Sequence, residues 1–252
     1  MRRVSAPPGQ PLILTASDGV KLAGSCWSTA QPAGIVIAHG LLADHSLPAL
    51  RWLARALSRD FTVLAFSFRG NHLSQGRFTF GIDEWRDVTA AARFLRQSGC
   101  RRVGVTGFSF GGFNAILAAW RSAELDSLAL VSTPSRLNVL GSHHFRLGLL
   151  TQARFGLSHR RNIPRCSLSW RPDRRVAPHQ VLGEIVAPKL FVSGSDDPIV
   201  HPSHSHLLYR RSRGPKELRL LPGGLHAELL IVQFGDLFVE LLADWFRRTL
   251  AT

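Results

Sequence analysis

Short apolar runs alternate with amphipathic helical patterns along most of this 252-residue chain, and that alternation constrains its fold more than any other feature. Residues 34–38 (GIVIA) and 62–68 (TVLAFSF) have the continuous apolar character of strands buried on both faces, and 102–106, 128–132, 189–193 and 217–221 read as further strands. Residues 12–16 and 21–27, joined through Ser17-Asp18-Gly19, read as an antiparallel pair. Helical patterns fall at 50–57, 83–97, 112–122, 204–211 and 229–248. In 83–97, Trp85, Val88, Ala92 and Leu95 recur three or four apart, and Asp83, Glu84 and Asp87 load the positive end of the helix. Strand and helix in alternation imply an α/β fold, a mostly parallel central sheet with helices on both faces. No repeat of fixed period suggests a solenoid.

The pattern lapses from 134 to about 183, where Arg, Ser, His and Pro dominate. The core domain is therefore expected at 1–134 and 184–252, with 135–183 inserted over one end of the sheet. Charge follows the same division. The chain has 28 Arg against 3 Lys and a net charge of +14. Residues 135–180 hold 9 Arg and one acid, Asp173, which makes +8 of that total. A basic chain invites a nucleic-acid reading, but no nucleic-acid motif accompanies it, and a compositional bias from Lys to Arg on a solvated surface accounts for the excess. Three cysteines are too few for a disulfide framework and read as reduced thiols. The opening MRRVSAPPGQ carries charge without an apolar run behind it, and no stretch approaches the roughly 20 apolar residues of a membrane span. These features suggest a cytoplasmic protein without a membrane span; oligomeric state is not legible.

Gly107-Phe108-Ser109-Phe110-Gly111 is the sharpest local signal, a G-x-S-x-G pattern with Gly112 directly after it. It follows an expected strand and opens an expected helix. That setting would put Ser109 in a strained turn with its hydroxyl projecting, and the flanking glycines would avoid collisions with neighbouring backbone. The helix start would aim N–H groups and positive dipole at an anion formed beside Ser109.

A serine hydroxyl needs a base to take its proton. Of eleven histidines, His201, His204 and His206 resemble a metal cluster, but no acidic or Cys ligand joins them, so they read as a solvated helix start. His143 and His144 fall in the basic insertion. His226, in Pro222-Gly223-Gly224-Leu225-His226, follows the last expected strand and so lies at the same sheet edge as Ser109. The orienting acid should follow a strand at that edge too. Two acids qualify: Asp197, before Pro198, can point back toward His226, whereas Asp196 suits solvation or a local backbone bond.

Acyl transfer also needs oxyanion donors. Phe110 N–H is one. The loop Ile37-Ala38-His39-Gly40-Leu41 offers Leu41 N–H as a second, with Gly40 permitting close approach and His39 bracing the loop. His39 as the catalytic base is the weaker alternative to His226.

Taken together, the His39-Gly40 loop, Phe68-Arg69-Gly70, the turn at Ser109, the Gly194-Ser195-Asp196-Asp197 loop and the His226 loop resemble the α/β-hydrolase superfamily across nearly the whole chain. Within it the chain is most similar to small bacterial serine esterases, whose Phe-Arg-Gly is followed by Ser-x-Gly, here Ser74-Gln75-Gly76. Many relatives have Asp before Phe-Arg-Gly and His-Gly after it, where this chain has Ser67 and Asn71-His72. The resemblance favours Asp197 over Asp196 and implies a triad in the order Ser109, Asp197, His226. It implies an acyl-enzyme mechanism with no metal or cofactor. The substrate would be a small-molecule carboxylic ester, of short to medium acyl chain, and nucleic acid would not be a partner. A thioesterase or carbon–carbon bond hydrolase shares the same triad, and a non-catalytic basic binding module is the reading outside enzymology. Residues 135–183 would form a lid, with Phe145, Leu147, Leu149, Leu150, Phe155 and Trp170 as its apolar face or its anchor, and its arginines would favour anionic esters.

Overall fold

Eight strands form one sheet because their side chains satisfy a two-sided core. A computed structural model describes residues 9–27, 31–137, 164–167 and 175–251. The strands are β1 (Gln10–Thr15), β2 (Lys21–Trp27), β3 (Ala33–Ala38), β4 (Thr62–Phe66), β5 (Arg102–Phe108), β6 (Ser127–Val131), β7 (Lys189–Gly194) and β8 (Lys216–Leu221). They lie in the order β1-β2-β4-β3-β5-β6-β7-β8. β2 is antiparallel to both neighbours, and every other pairing is parallel. Register aligns Ala38 with both Phe66 and Gly107, and Phe108 with Val131. The loops leaving these strands therefore share one edge, where α/β sheets gather their ligands.

The helices are α1 (Pro48–Leu57), α2 (Trp85–Gln97), α3 (Phe110–Arg121), α4 (Pro178–Val181), α5 (Ser203–Arg211), α6 (Leu229–Phe234) and α7 (Asp236–Thr249). On one face of the sheet, α2, α3 and α5 pack over Val36, Phe66, Val105 and Phe191. On the other, α1, α6 and α7 pack over Ile37, Ala65, Phe108 and Val192. Successive strand residues alternate between the two cores, as the period-two geometry of a strand requires. Among the described residues no helix is long and apolar enough to cross a membrane.

The expected helix at 229–248 is two helices. Gly235, at φ +50° and ψ −124°, separates α6 from α7. A Cβ there would meet nothing within 4 Å, so the glycine is required by its backbone and not by space. The sequence pattern runs through because Leu230, Ile231, Phe238 and Leu242 all face the same core. The acids near α2 also differ from expectation. Asp83 and Glu84 precede the helix, and buried Glu84 accepts the Thr79 and Gly81 N–H groups. Buried Asp87 takes the Arg69 guanidinium at 2.7 Å, and Arg69 reaches Asp18 at 2.7 Å as well. These carboxylates lace loops together; they do not simply load a helix dipole. Phe68-Arg69-Gly70 is accordingly a structural knot: a Cβ on Gly70 (φ +75°) would lie 2.6 Å from Phe78 N.

Helix α4 and a single 3-10 turn (Leu182–Glu184) occupy the end of the stretch expected to be irregular. Of residues 135–183, only 135–137, 164–167 and 175–183 are described. His143, His144 and the six apolar residues assigned to the lid face lie outside the described residues.

Candidate active site

The turn from β5 into α3 forces Ser109 to φ +49° and ψ −110°, a conformation that L-residues seldom adopt. Its N–H donates to Val131 O at 2.8 Å, and its carbonyl accepts Phe113 N–H at 3.1 Å, so both sides of the turn are fixed. Glycines make the turn possible. A Cβ on Gly107 would sit 2.6 Å from Gly112 Cα, and one on Gly111 would sit 2.0 Å from Ala38 O and 2.7 Å from His39 O. The second contact brings the loop after β3 directly against the first turn of α3.

Ser109 Oγ lies 3.0 Å from His226 Nε2, and His226 Nδ1 lies 2.8 and 3.0 Å from the two Asp197 oxygens. All three side chains are buried. Burial alone would raise the Asp197 carboxyl, but the hydrogen bond and charge of His226 and the Val200 and Ile199 N–H groups outweigh it, holding the carboxyl below its ordinary value. An ionised Asp197 requires the proton on Nδ1. Nε2 is then left to accept the Ser109 hydroxyl proton. Asp196 is exposed, and among the described residues its carboxylate accepts only the Ser195 hydroxyl, at 2.7 Å.

The His226 loop is itself held. A Cβ on Gly194 would lie 2.1 Å from Gly224 O, so β7 and the His226 loop touch backbone to backbone. Ala227 N–H donates to Ser132 Oγ at 3.1 Å. Ser109, Ser132 and Ala227 are three of the six described non-glycine residues with positive φ, and all three stand on this edge. Strain concentrated in one place is a mark of functional sites.

His39 is buried, and both its ring nitrogens are engaged. Phe68 N–H donates to Nε2 at 3.1 Å, so the proton sits on Nδ1 and is donated to Gly40 O at 2.7 Å. Burial pushes its pKa down and keeps the ring neutral. Since C=O and N–H point opposite ways across a trans peptide, holding Gly40 O aims Leu41 N–H away from His39. Among the described residues neither Leu41 N–H nor Phe110 N–H has a hydrogen-bond partner. Unsatisfied backbone N–H groups of this kind are what an oxyanion hole requires.

The structure also brings in residues that the sequence reading passed over. Glu228, two positions beyond His226, accepts Gly40 N–H at 2.6 Å. His45 pairs with Ser67 at 2.7 Å, the position where many relatives carry Asp, and burial pushes His45 down to about 4. His204 is not solvated: it is half-buried, with Nδ1 2.9 Å from Ser135 Oγ. Among the described residues no three His, Cys, Asp or Glu side chains come together as a metal site.

A family model for the α/β-hydrolase fold matches residues 35–155. The chain is 25% identical over 244 residues to the uncharacterized protein YfhR of Escherichia coli K12, covering 92% of this chain and 78% of that one. It superposes on an esterase of Pyrococcus furiosus with a TM-score of 0.79 at 21% identity, over 96% of this chain and 92% of that one. A meta-cleavage product hydrolase of Pseudomonas fluorescens gives a TM-score of 0.72 at 17% identity, over 94% and 97%. Strand order, the tight β5–α3 turn and the matching family model agree, and the chain has the α/β-hydrolase fold.

Proposed function

We propose that the chain is a carboxylesterase acting through Ser109, His226 and Asp197. The observation that carries this reading is the 3.0 Å approach of Ser109 Oγ to a His226 whose other nitrogen is held by Asp197. In the first step His226 Nε2 takes the hydroxyl proton as Ser109 Oγ bonds to the acyl carbon. The carbonyl oxygen becomes an oxyanion, with the Leu41 and Phe110 N–H groups as its donors. Asp197 holds the imidazole tautomer and stabilises the imidazolium. Collapse of the tetrahedral adduct expels the alkoxide, which leaves as the alcohol with the proton from His226. Water then attacks the acyl-enzyme, giving its proton to His226, and the acid departs as that proton returns to Ser109 Oγ.

Residues 135–183 are the proposed lid over the core of 1–134 and 184–252, and they would contribute much of the acyl or alcohol pocket. Their nine arginines would draw anionic esters toward the site. Fluorophosphonate labelling together with a chain-length series of p-nitrophenyl esters tests the proposal, with Ser109→Ala as control. Labelling and hydrolysis in the wild type and loss of both in the variant are expected, with best rates at short to medium acyl chains. An unlabelled and inactive wild type would sink the proposal and promote the binding-module reading. A labelled wild type that prefers thioesters, or the carbon–carbon bond of a meta-cleavage product, would keep the triad and reassign the leaving group.

A further inference from the structure

Glu228 is a buried carboxylate, 7% exposed, and among the described residues it forms no ion pair with Lys, Arg or His. A lone buried carboxylate is costly unless hydrogen bonds answer it. The bond Glu228 makes is to the N–H of Gly40, at 2.6 Å, across 188 residues of sequence. Its position is specific at both ends. At one end it sits in the turn that carries His226, which is closed by Leu229 N–H to His226 O and Leu230 N–H to Ala227 O, each 3.0 Å. At the other it grips the residue just before Leu41.

Gly40 is the loop's freest backbone position, because it has no side chain to restrict φ and ψ. Both peptide planes flanking it are nonetheless held. His39 Nδ1–H fixes the carbonyl of the 40–41 peptide, and Glu228 fixes the N–H of the 39–40 peptide. Pinning both planes fixes the direction of the Leu41 N–H. Glu228 also claims the Gly40 N–H outright, which leaves Leu41 as the donor on this loop. We infer that Glu228 is a positioning residue that sets the oxyanion donor of the β3 loop in register with the His226 turn. This inference rests on the esterase reading. Charge and geometry make different demands here: a negative carboxylate near a developing oxyanion opposes catalysis, so any benefit must come from the grip on Gly40.

Steady-state kinetics on p-nitrophenyl esters, with affinity for a trifluoromethyl ketone that adds to Ser109 as an oxyanion, tests the role. In Glu228→Ala, kcat should fall roughly ten- to a hundred-fold while KM stays within about threefold, because a donor misplaced by a fraction of an ångström affects the transition state first. Ketone affinity should fall by the same factor as kcat/KM. Glu228→Gln, whose amide oxygen can accept the Gly40 N–H, should recover most of the lost rate. Gly40→Ala offers a second route, since its Cβ would lie 3.0 Å from Glu228 Oε1, with the Glu228 carboxylate supplying its three nearest neighbours. It should lower kcat in the wild-type background and add little in Glu228→Ala. Equal losses in the Ala and Gln variants, or additive losses in the double variant, would overturn the positioning role. If Glu228→Ala does not fold, the Gln and Gly40 variants carry the same test. A wild type inert to fluorophosphonate would remove the esterase reading itself, whereas an active wild type matched by Glu228→Ala would remove only this inference.

Discussion

Gly111→Ala probes whether the β3 loop and the start of α3 are as tightly joined as described. A Cβ at this position would lie 2.0 Å from Ala38 O, 2.6 Å from Ala38 C and 2.7 Å from His39 O. Carbon–oxygen contacts of ordinary length exceed 3 Å, so the loop and helix must part by about 1 Å, and these three nearest neighbours are all backbone with no rotamer to yield. Overpacking of this kind costs about 1–3 kcal/mol of stability. The larger effect should be on rate, because the displaced loop carries Leu41 and the displaced helix carries Phe110. Separation of the two donors by about 1 Å is expected to lower kcat about a hundred-fold. Urea unfolding and p-nitrophenyl ester kinetics on the same preparation measure both. Gly112→Ala is a useful companion, since its Cβ would meet the Thr133 hydroxyl first and the Gly107 carbonyl oxygen at 2.9 Å, and neither belongs to the β3 loop. A Gly111→Ala protein with wild-type stability and wild-type kcat would refute the contact and the reasoning built on it.

Three further outcomes follow from the same geometry. Asp197→Asn would present an amide N–H to His226 Nδ1 and favour the tautomer that cannot accept the Ser109 proton; a fall in kcat of about 10³–10⁴ is expected, and retention of a tenth of the rate would exclude Asp197 as the partner. His45, near 6.5 in the unfolded chain and about 4 when buried, binds a proton more readily unfolded than folded. Stability should therefore drop by about 3 kcal/mol as pH falls from 6.5 to 4, and urea midpoints across that range should flatten in His45→Asn. Ser109→Gly should abolish hydrolysis yet raise the melting temperature by a few degrees, because a φ of +49° costs serine about 1–3 kcal/mol that glycine avoids; a lower melting temperature would argue against strain at that turn.

The sheet was legible from its alternation because a strand buried on both faces must be apolar throughout, and β3, β4 and β6 fall within a residue or two of the expected runs. The break at Gly235 was not, because the apolar spacing that defines a helix passes through it unchanged. For the site, the Gly-rich turn and the loops after β7 and β8 stand out locally, and the structure places Ser109, Asp197 and His226 within hydrogen-bond reach. Glu228, Ser132 and the His45–Ser67 pair had no such signal. Each matters through a partner distant in sequence, 188 residues away for Glu228 and 95 for Ser132, and a polar residue before or after a strand looks the same whether its partner is water or another loop. The acids around α2 misled for a related reason: a carboxylate near a helix start suits the dipole equally well exposed or buried.

Phe108 and Phe110, the two interchangeable letters of the G-x-S-x-G pattern, have a part of their own. Phe108 points into the core beneath α7, 6.2 Å from Phe238, while Phe110 points into the opposite core, 4.9 Å from Phe78 and 5.6 Å from Phe68. The chain thus crosses from one side of the sheet to the other at Ser109, with a ballast of aromatic burial on each flank. Truncating a buried Phe costs about 3–5 kcal/mol, more than the strain of the serine between them. Neither ring can withdraw to let the turn relax without emptying its own core. The awkward posture of one serine is therefore underwritten by the weight of both helical layers, and its geometry should drift when either layer is loosened far from the site.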